Sequence, residues 1–145
     1  MRRKIRTAAV IGSGIMGGGI AALLAAAGVR TLLLDIVPFD LKEEEKNDPA
    51  ARNRIVKAGL DAVLGSRPSL LMQKKDVDRI TLGNLEDDFE KLADVDWIIE
   101  VVVENLQIKK DLFKRIEPVR AQGTIIFQHF RDSVKGHVGR AKSGI

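Results

Sequence analysis

Three glycines and one carboxylate are the residues most able to do chemistry in this chain. Gly12, Gly14 and Gly17 stand in the spacing G-x-G-x-x-G, an apolar run precedes them, an apolar helical stretch follows, and a second apolar run ends at Asp35. This spacing suits a dinucleotide. Gly12 permits a tight turn, Gly14 carries no Cβ to keep a pyrophosphate from the backbone, and Gly17 lets the following helix pack close to the sheet. Free N–H groups around Ile15 and Met16 would point at the phosphates, and the helix dipole favours their charge. Asp35 can accept both hydroxyls of a ribose and repels a 2′-phosphate, so NAD is favoured over NADP, with Ile36 flanking the adenine. A plainer account is a glycine-rich turn leading into a buried helix. Against it stands the run Gly17-Gly18-Gly19, since each interior helical glycine costs on the order of 1 kcal/mol relative to alanine. Close packing or ligand approach must offset that cost.

The elements that position these residues follow from periodicity. Strands are predicted at residues 6–11 and 31–35, with a helix over 15–27 that Gly28 stops. The second strand is a continuous apolar run, as expected of a strand covered on both faces. Pro38 opens an acidic connection in which Glu43, Glu44 and Glu45 read as a solvated helix or loop. Asp48 and Pro49 are a helix-start pair, and Ile55, Val56, Leu60, Val63 and Leu64 continue at helical spacing until Gly65 and Pro68. A short helix is expected over 69–74, a third strand over 79–82, a turn from Gly83-Asn84, and a short helix over 85–92. Residues 97–103 form the clearest later strand. An amphipathic helix over 106–119 carries Ile108, Leu112, Phe113 and Ile116, and a fifth strand spans 123–127. The alternation predicts an α/β fold with a doubly wound, mostly parallel sheet of Rossmann type, in which strands one and four are neighbours.

Composition narrows the functional classes. The chain has 145 residues, 45% of them hydrophobic, no cysteine and two histidines. It suits one domain with an aliphatic core and excludes a disulfide framework or thiolate chemistry. The sequence pI is about 9.5. The excess of positive charge, however, sits at the ends, in Arg2, Arg3, Lys4 and Arg6 and in Arg131, Lys135, Arg140 and Lys142. Without those eight residues and Asp132, sixteen basic and nineteen acidic residues remain. No nucleic-acid partner is expected from that distribution. No stretch is long enough to span a bilayer, nothing resembles a leader segment, and a cytoplasmic location is the default.

The second half of the site is expected at the end of the fourth strand. Glu104 lies just past it, on the rim where the nicotinamide end of a dinucleotide belongs, with Val103 as apolar and backbone contact beside it. Lys109 and Lys110 fall in the first turn of the next helix, where cations oppose the dipole. Lys110 reads as a solvated lysine. For Lys109 a solvated side chain and a recruitment to the site remain equally open. Glu100, within the strand, reads as structural.

The segment V-I-G-S-G-I-M-G-G-G-I-A at residues 10–21 resembles the fingerprint of the 3-hydroxyacyl-CoA dehydrogenases. I-I-E-V-V-V-E-N-L-Q-I-K-K-D-L-F at residues 98–113 resembles the second characteristic segment of the same family and is the more specific of the two. The likeness covers roughly residues 5–126, and the acidic insertion after Asp35 is similar to forms fused to an enoyl-CoA hydratase. The resemblance implies hydride transfer from an L-3-hydroxyacyl-CoA to NAD in fatty-acid β-oxidation. It places Gly12, Gly14 and Gly17 at the pyrophosphate, Asp35 at the adenosine ribose, and Glu104 and Lys109 around the nicotinamide ribose.

The likeness ends near residue 127. There the family continues with a Ser-Asn-Thr-Ser-type segment, a catalytic histidine with its glutamate, and a helical domain that dimerises and completes the acyl-CoA cleft. This chain instead reads F-Q-H-F-R from Phe127, and neither His129 nor His137 has the family's surroundings. Codons for those five residues can be chosen that, read one base later, encode Ser-Ser-Thr-Ser-Gly. An out-of-frame tail and a truncation with an unrelated tail are thus both open. Residues 1–127 are expected to form the NAD-binding domain and 128–145 a mobile tail. No catalytic residue and no metal ligand is assigned, and the chain alone is expected to bind NAD without turning over substrate. An acyl-CoA substrate belongs to the full-length enzyme. An oligomer is possible, although the family's dimerising domain is absent. Two other readings are another hydroxy-acid dehydrogenase and a non-catalytic nucleotide-binding module.

Overall fold

Five parallel strands in the order β3-β2-β1-β4-β5 make the sheet. The computed structural model describes residues 4–66, 74–102 and 106–128. β1 (Thr7–Ile11), α1 (Ile15–Ala26) and β2 (Arg30–Asp35) form the first βαβ unit, and Gly28, at φ 90°, reverses the chain between α1 and β2. α2 (Pro49–Arg52), α3 (Arg54–Ser66) and α4 (Lys74–Val77) lead to β3 (Ile80–Asn84), and β4 (Trp97–Glu100), α5 (Leu106–Ile116) and β5 (Ile125–Gln128) complete the order. β1 lies between β2 and β4, with Ile11 in register with Leu34 and Glu100. The expected neighbours therefore meet, and their carboxyl ends share one edge.

Alternation along the strands divides the core. Ala9, Ile11, Leu32, Leu34 and Ile98 face one layer, with Leu92, Leu112 and Ile116 packed on them. Val10, Leu33 and Ile99 face the other, against Ala21 of α1 and Val56 and Leu60 of α3. Leu33, Leu34 and Ile98 are fully buried, and each such side chain contributes about 1.5–3 kcal/mol.

Several boundaries differ from those read off the sequence. The helix expected from Pro49 onward is broken at Asn53, although Asp48 does cap it, accepting the Ala50 N–H at 3.1 Å. Gly83 and Asn84 are not a turn but the last residues of β3, paired with Leu34 and Asp35. The short helix expected over 85–92 is a 3₁₀ helix shifted to Phe89–Asp94, with a turn before it. β4 stops at Glu100, although the Val101 N–H still reaches the Ile11 carbonyl at 2.9 Å. α5 ends three residues early. Its buried face is Lys109, Leu112 and Ile116, while Ile108 and Phe113 are 51% and 40% exposed. Residues 67–73 lie outside the described part, so only Lys74 of the helix expected over 69–74 is seen, opening α4. The acidic run forms one exposed 3₁₀ turn at Glu43–Glu45. Gln128, given to the tail by the sequence reading, closes β5; the rest of that expected tail, residues 129–145, lies outside the described part.

The break at Asn53 has a tertiary cause. Asn84, 1% exposed, donates its amide to Asn53 Oδ1 and Asp87 Oδ2, both at 2.9 Å, and its Oδ1 accepts the N–H groups of Glu86 and Asp87. Arg52 grips Asp87 and Glu86 at 2.7 and 2.8 Å. This network ties α2 and α3 to the end of β3, beside Asp35. Asn84→Ala removes four hydrogen bonds whose partners on Asn53, Glu86 and Asp87 water can partly reach, and a urea melt is expected to show a loss of about 1–2 kcal/mol. Hydrogen bonds from the Arg52 guanidinium and then from Asn84 hold the Asp87 carboxyl below its ordinary range. A lowered folded-state pKa gives stability that is present above the unfolded value and is lost as pH falls through the folded one. Melting temperatures of Asp87→Asn should therefore vary less below pH 4 than those of the parent chain, whose ordinary Asp value is 3.8.

A candidate dinucleotide site at the glycine turn

The turn after β1 is wedged between its neighbours. The Gly12 N–H donates to the Leu34 carbonyl at 2.8 Å, and Gly12 sits at φ 107°, a conformation that L side chains rarely adopt. A Cβ on Gly12 would come 2.8 Å from the Val101 carbonyl oxygen, and one on Gly17 would come within 1.7 Å of the Gly12 carbonyl oxygen. These two glycines let the helix start touch the sheet edge. Gly14 differs: a Cβ there would meet no heavy atom within 4 Å. It opens α1 in an extended conformation, with no side-chain cap and no acidic residue in the first turn. The first-turn amides of α1 have no helical partners, and Ile15 and Met16 beside them are 81% and 50% exposed. A bare, uncapped, positively polarised helix end with open space above its glycine fits a pyrophosphate.

Of the glycine run, Gly18 is explained by a neighbour, since its Cβ would fall 2.7 Å from Val63 Cγ2. Nothing in the structure accounts for Gly19.

Asp35 closes β2 at the same edge, with Ile36 exposed next to it. The carboxylate already has partners. Oδ2 accepts the Ser13 N–H at 2.8 Å and the Ser13 hydroxyl at 2.5 Å, and Oδ1 accepts the Ile36 N–H at 2.7 Å. The structure thus brings Gly12, Gly14, Ile15, Met16, Gly17, Asp35 and Ile36 to one edge. A carboxylate offers about four acceptor positions, so these three donors leave Asp35 capacity for a ribose hydroxyl.

The β4 side is only partly described. Val103 and Glu104 lie outside the described residues, as do His129 and His137. Lys109 is buried, at 5% exposure, while Lys110 is exposed as the sequence reading had it. The solvated alternative that the sequence left open for Lys109 is thereby removed. Glu100 is fully buried, and its Oε1 accepts the Val102 N–H at 2.8 Å, in keeping with a structural role. Among the described residues no group of three or more His, Cys, Asp or Glu could hold a metal ion, and no helix is long and apolar enough to cross a membrane.

Two participants escaped the sequence reading. Ser13 hid as the variable residue inside G-x-G, although a hydroxyl beside a predicted carboxylate is a usable signal. Gly59 hid within a helical run, where a glycine costs about 1 kcal/mol and so asks for a reason. The reason is contact: a Cβ on Gly59 would lie 2.1 Å from the Ser13 carbonyl oxygen and 2.6 Å from its hydroxyl.

Comparison with known proteins agrees with this geometry. The family model described as "3-hydroxyacyl-CoA dehydrogenase, NAD binding domain" matches residues 7–128. A probable 3-hydroxyacyl-CoA dehydrogenase of Bacillus subtilis is 48% identical over 132 residues, covering 87% of this chain and 17% of that protein. One of Deinococcus radiodurans is 46% identical over 123 residues, covering 85% of this chain and 33% of its own. The crystal structure of 3-hydroxybutyryl-CoA dehydrogenase from Escherichia coli is 31% identical with a TM-score of 0.64, covering 88% of this chain and 25% of that one. The chain thus spans a third or less of the length of these relatives. With its Rossmann sheet and a family match that runs from β1 through β5, the chain belongs to the NAD-binding domain family of the 3-hydroxyacyl-CoA dehydrogenases.

Proposed function

We propose that the glycine-turn edge binds NAD and that the whole protein oxidises an L-3-hydroxyacyl-CoA to the 3-ketoacyl-CoA in fatty-acid β-oxidation. The observation that carries the reading is the pairing of an uncovered Gly14 and α1 start with a carboxylate held at the end of β2. In this reading Gly12, Gly14 and Gly17 shape the pyrophosphate seat, and the amides at Ile15 and Met16 hold its charge. Asp35 accepts a hydroxyl of the adenosine ribose, and Ile36 lies along the adenine. Val103, Glu104 and Lys109 complete the nicotinamide side. Bound NAD supplies the hydride acceptor. The binding domain of this proposal runs through Gln128, one residue past the end read from the sequence, and the family match to residue 128 supports that end. An acyl-CoA is the substrate of the whole protein. A cytoplasmic location belongs to the same proposal and rests on composition alone.

Coenzyme preference tests the role of Asp35. Its carboxylate and a 2′-phosphate would repel each other at close range. Calorimetric titration should show NADH binding at least about tenfold more tightly than NADPH, a gap of roughly 1.4 kcal/mol. Equal affinities, or a preference for NADPH, would remove Asp35 from the ribose.

A further inference from the structure

We infer that Ser13 is a positioning residue for the coenzyme, acting through Asp35, and that α3 is the buttress that holds it there. The inference rests on the reading of Asp35 as the ribose contact. Ser13 is 3% exposed, so its hydroxyl is not a surface group that coenzyme can recruit directly. A hydroxyl has one proton to donate. At 2.5 Å from Asp35 Oδ2, against 3.5 Å from the Ile55 carbonyl, that proton goes to the carboxylate. The Ser13 N–H reaches the same oxygen at 2.8 Å, and the Ile36 N–H takes the other at 2.7 Å. Two donors from one residue on one oxygen, with a third on its twin, fix both the position and the plane of the carboxyl group. Its remaining acceptor position then faces a defined direction.

Ser13 is itself held from outside. Gly59 brings the α3 backbone against the Ser13 carbonyl, hydroxyl and Cβ, closer than any side chain would allow. Gly18 opposite lies so near Val63 and the Gly59 carbonyl that α1 and α3 lock together around the turn. The physical order is therefore α3, Ser13, Asp35, ribose. Without the hydroxyl, Oδ2 keeps only a backbone donor and the carboxyl group is free to turn, so ribose hydroxyls meet it in several orientations.

The test is a double-mutant cycle read by NADH calorimetry on the full 145-residue chain, with circular dichroism melts on every variant. Ser13→Ala should weaken NADH about tenfold, the scale of one hydrogen bond to a charged group. Asp35→Ala should weaken it more, and adding Ser13→Ala to Asp35→Ala should change nothing further. Equal losses from Ser13→Ala in both backgrounds would mark a merely structural residue and overturn the inference. So would a Ser13→Ala variant that binds like the parent while Asp35→Ala is weakened, an outcome that leaves the NAD reading standing. A parent chain indifferent to NADH, or to loss of Asp35, would instead overturn that reading and this inference with it. Should Ser13→Ala not fold, Ser13→Cys keeps the volume with a weak donor and carries the same cycle: loss with Asp35 present and none without it, against equal loss in both.

Discussion

Gly17→Ala should be at least about 3 kcal/mol less stable than the parent chain, while Gly19→Ala, two residues on, should be about 1 kcal/mol more stable. Both replacements gain the same helix propensity, on the order of 1 kcal/mol. Only the surroundings differ. A Cβ at residue 17 would sit 1.7 Å from the Gly12 carbonyl oxygen and 2.9 Å from Val101 Cγ2. The oxygen belongs to the backbone of a turn pinned by the Gly12 N–H to Leu34. The turn cannot yield without detaching α1 from the sheet edge, and overpacking against backbone outweighs the propensity gain. A Cβ at residue 19 meets nothing within 4 Å. Urea melts of the two variants decide the matter, and the opposite signs are the diagnostic feature. A stable Gly17→Ala chain would mean that the turn is not packed as described.

Asp35→Ala is expected to weaken NADH by roughly ten- to a hundredfold, since hydrogen bonds to a charged group contribute about 1.5–3 kcal/mol each. The gap between NADH and NADPH should narrow in the same variant, because the charge that repels a 2′-phosphate has gone. Glu45→Ala, on the exposed 3₁₀ turn, should bind as the parent does. Asp35→Ala also strands the buried Ser13 hydroxyl, so some stability is lost with it. Asp35→Asn keeps one acceptor oxygen and separates the two effects: binding falls while the melt moves less.

The first βαβ unit was legible because local rules there all agree. An apolar strand, three constrained glycines, an apolar helix and a second strand ending in an acid leave little choice of fold. The strand order followed from the same motif. Legibility failed where a residue answers to a partner distant in sequence. Asn53 breaks a helix that its neighbours would continue, because its side chain meets Asn84, 31 residues on. On α5 the apolar residues Ile108 and Phe113 promised a buried face, yet both are partly exposed while Lys109 is buried. Periodicity alone does not put a lysine inside. The glycines and Asp35 were legible from their spacing, but Ser13 and Gly59 were not: Ser13 matters through hydrogen bonds of 2.5 and 2.8 Å to Asp35, and Gly59 through the Cβ it lacks against Ser13, both between elements that periodicity treats separately.

Amide chemical-shift mapping of the isotopically labelled chain during titration with NADH shows whether the glycine turn seats the coenzyme. The largest saturable shifts are expected at Gly14, Ile15 and Met16, with a second group at Asp35 and Ile36. Saturable NADH binding that leaves those five amides unmoved, or no binding at millimolar coenzyme, would contradict that seating.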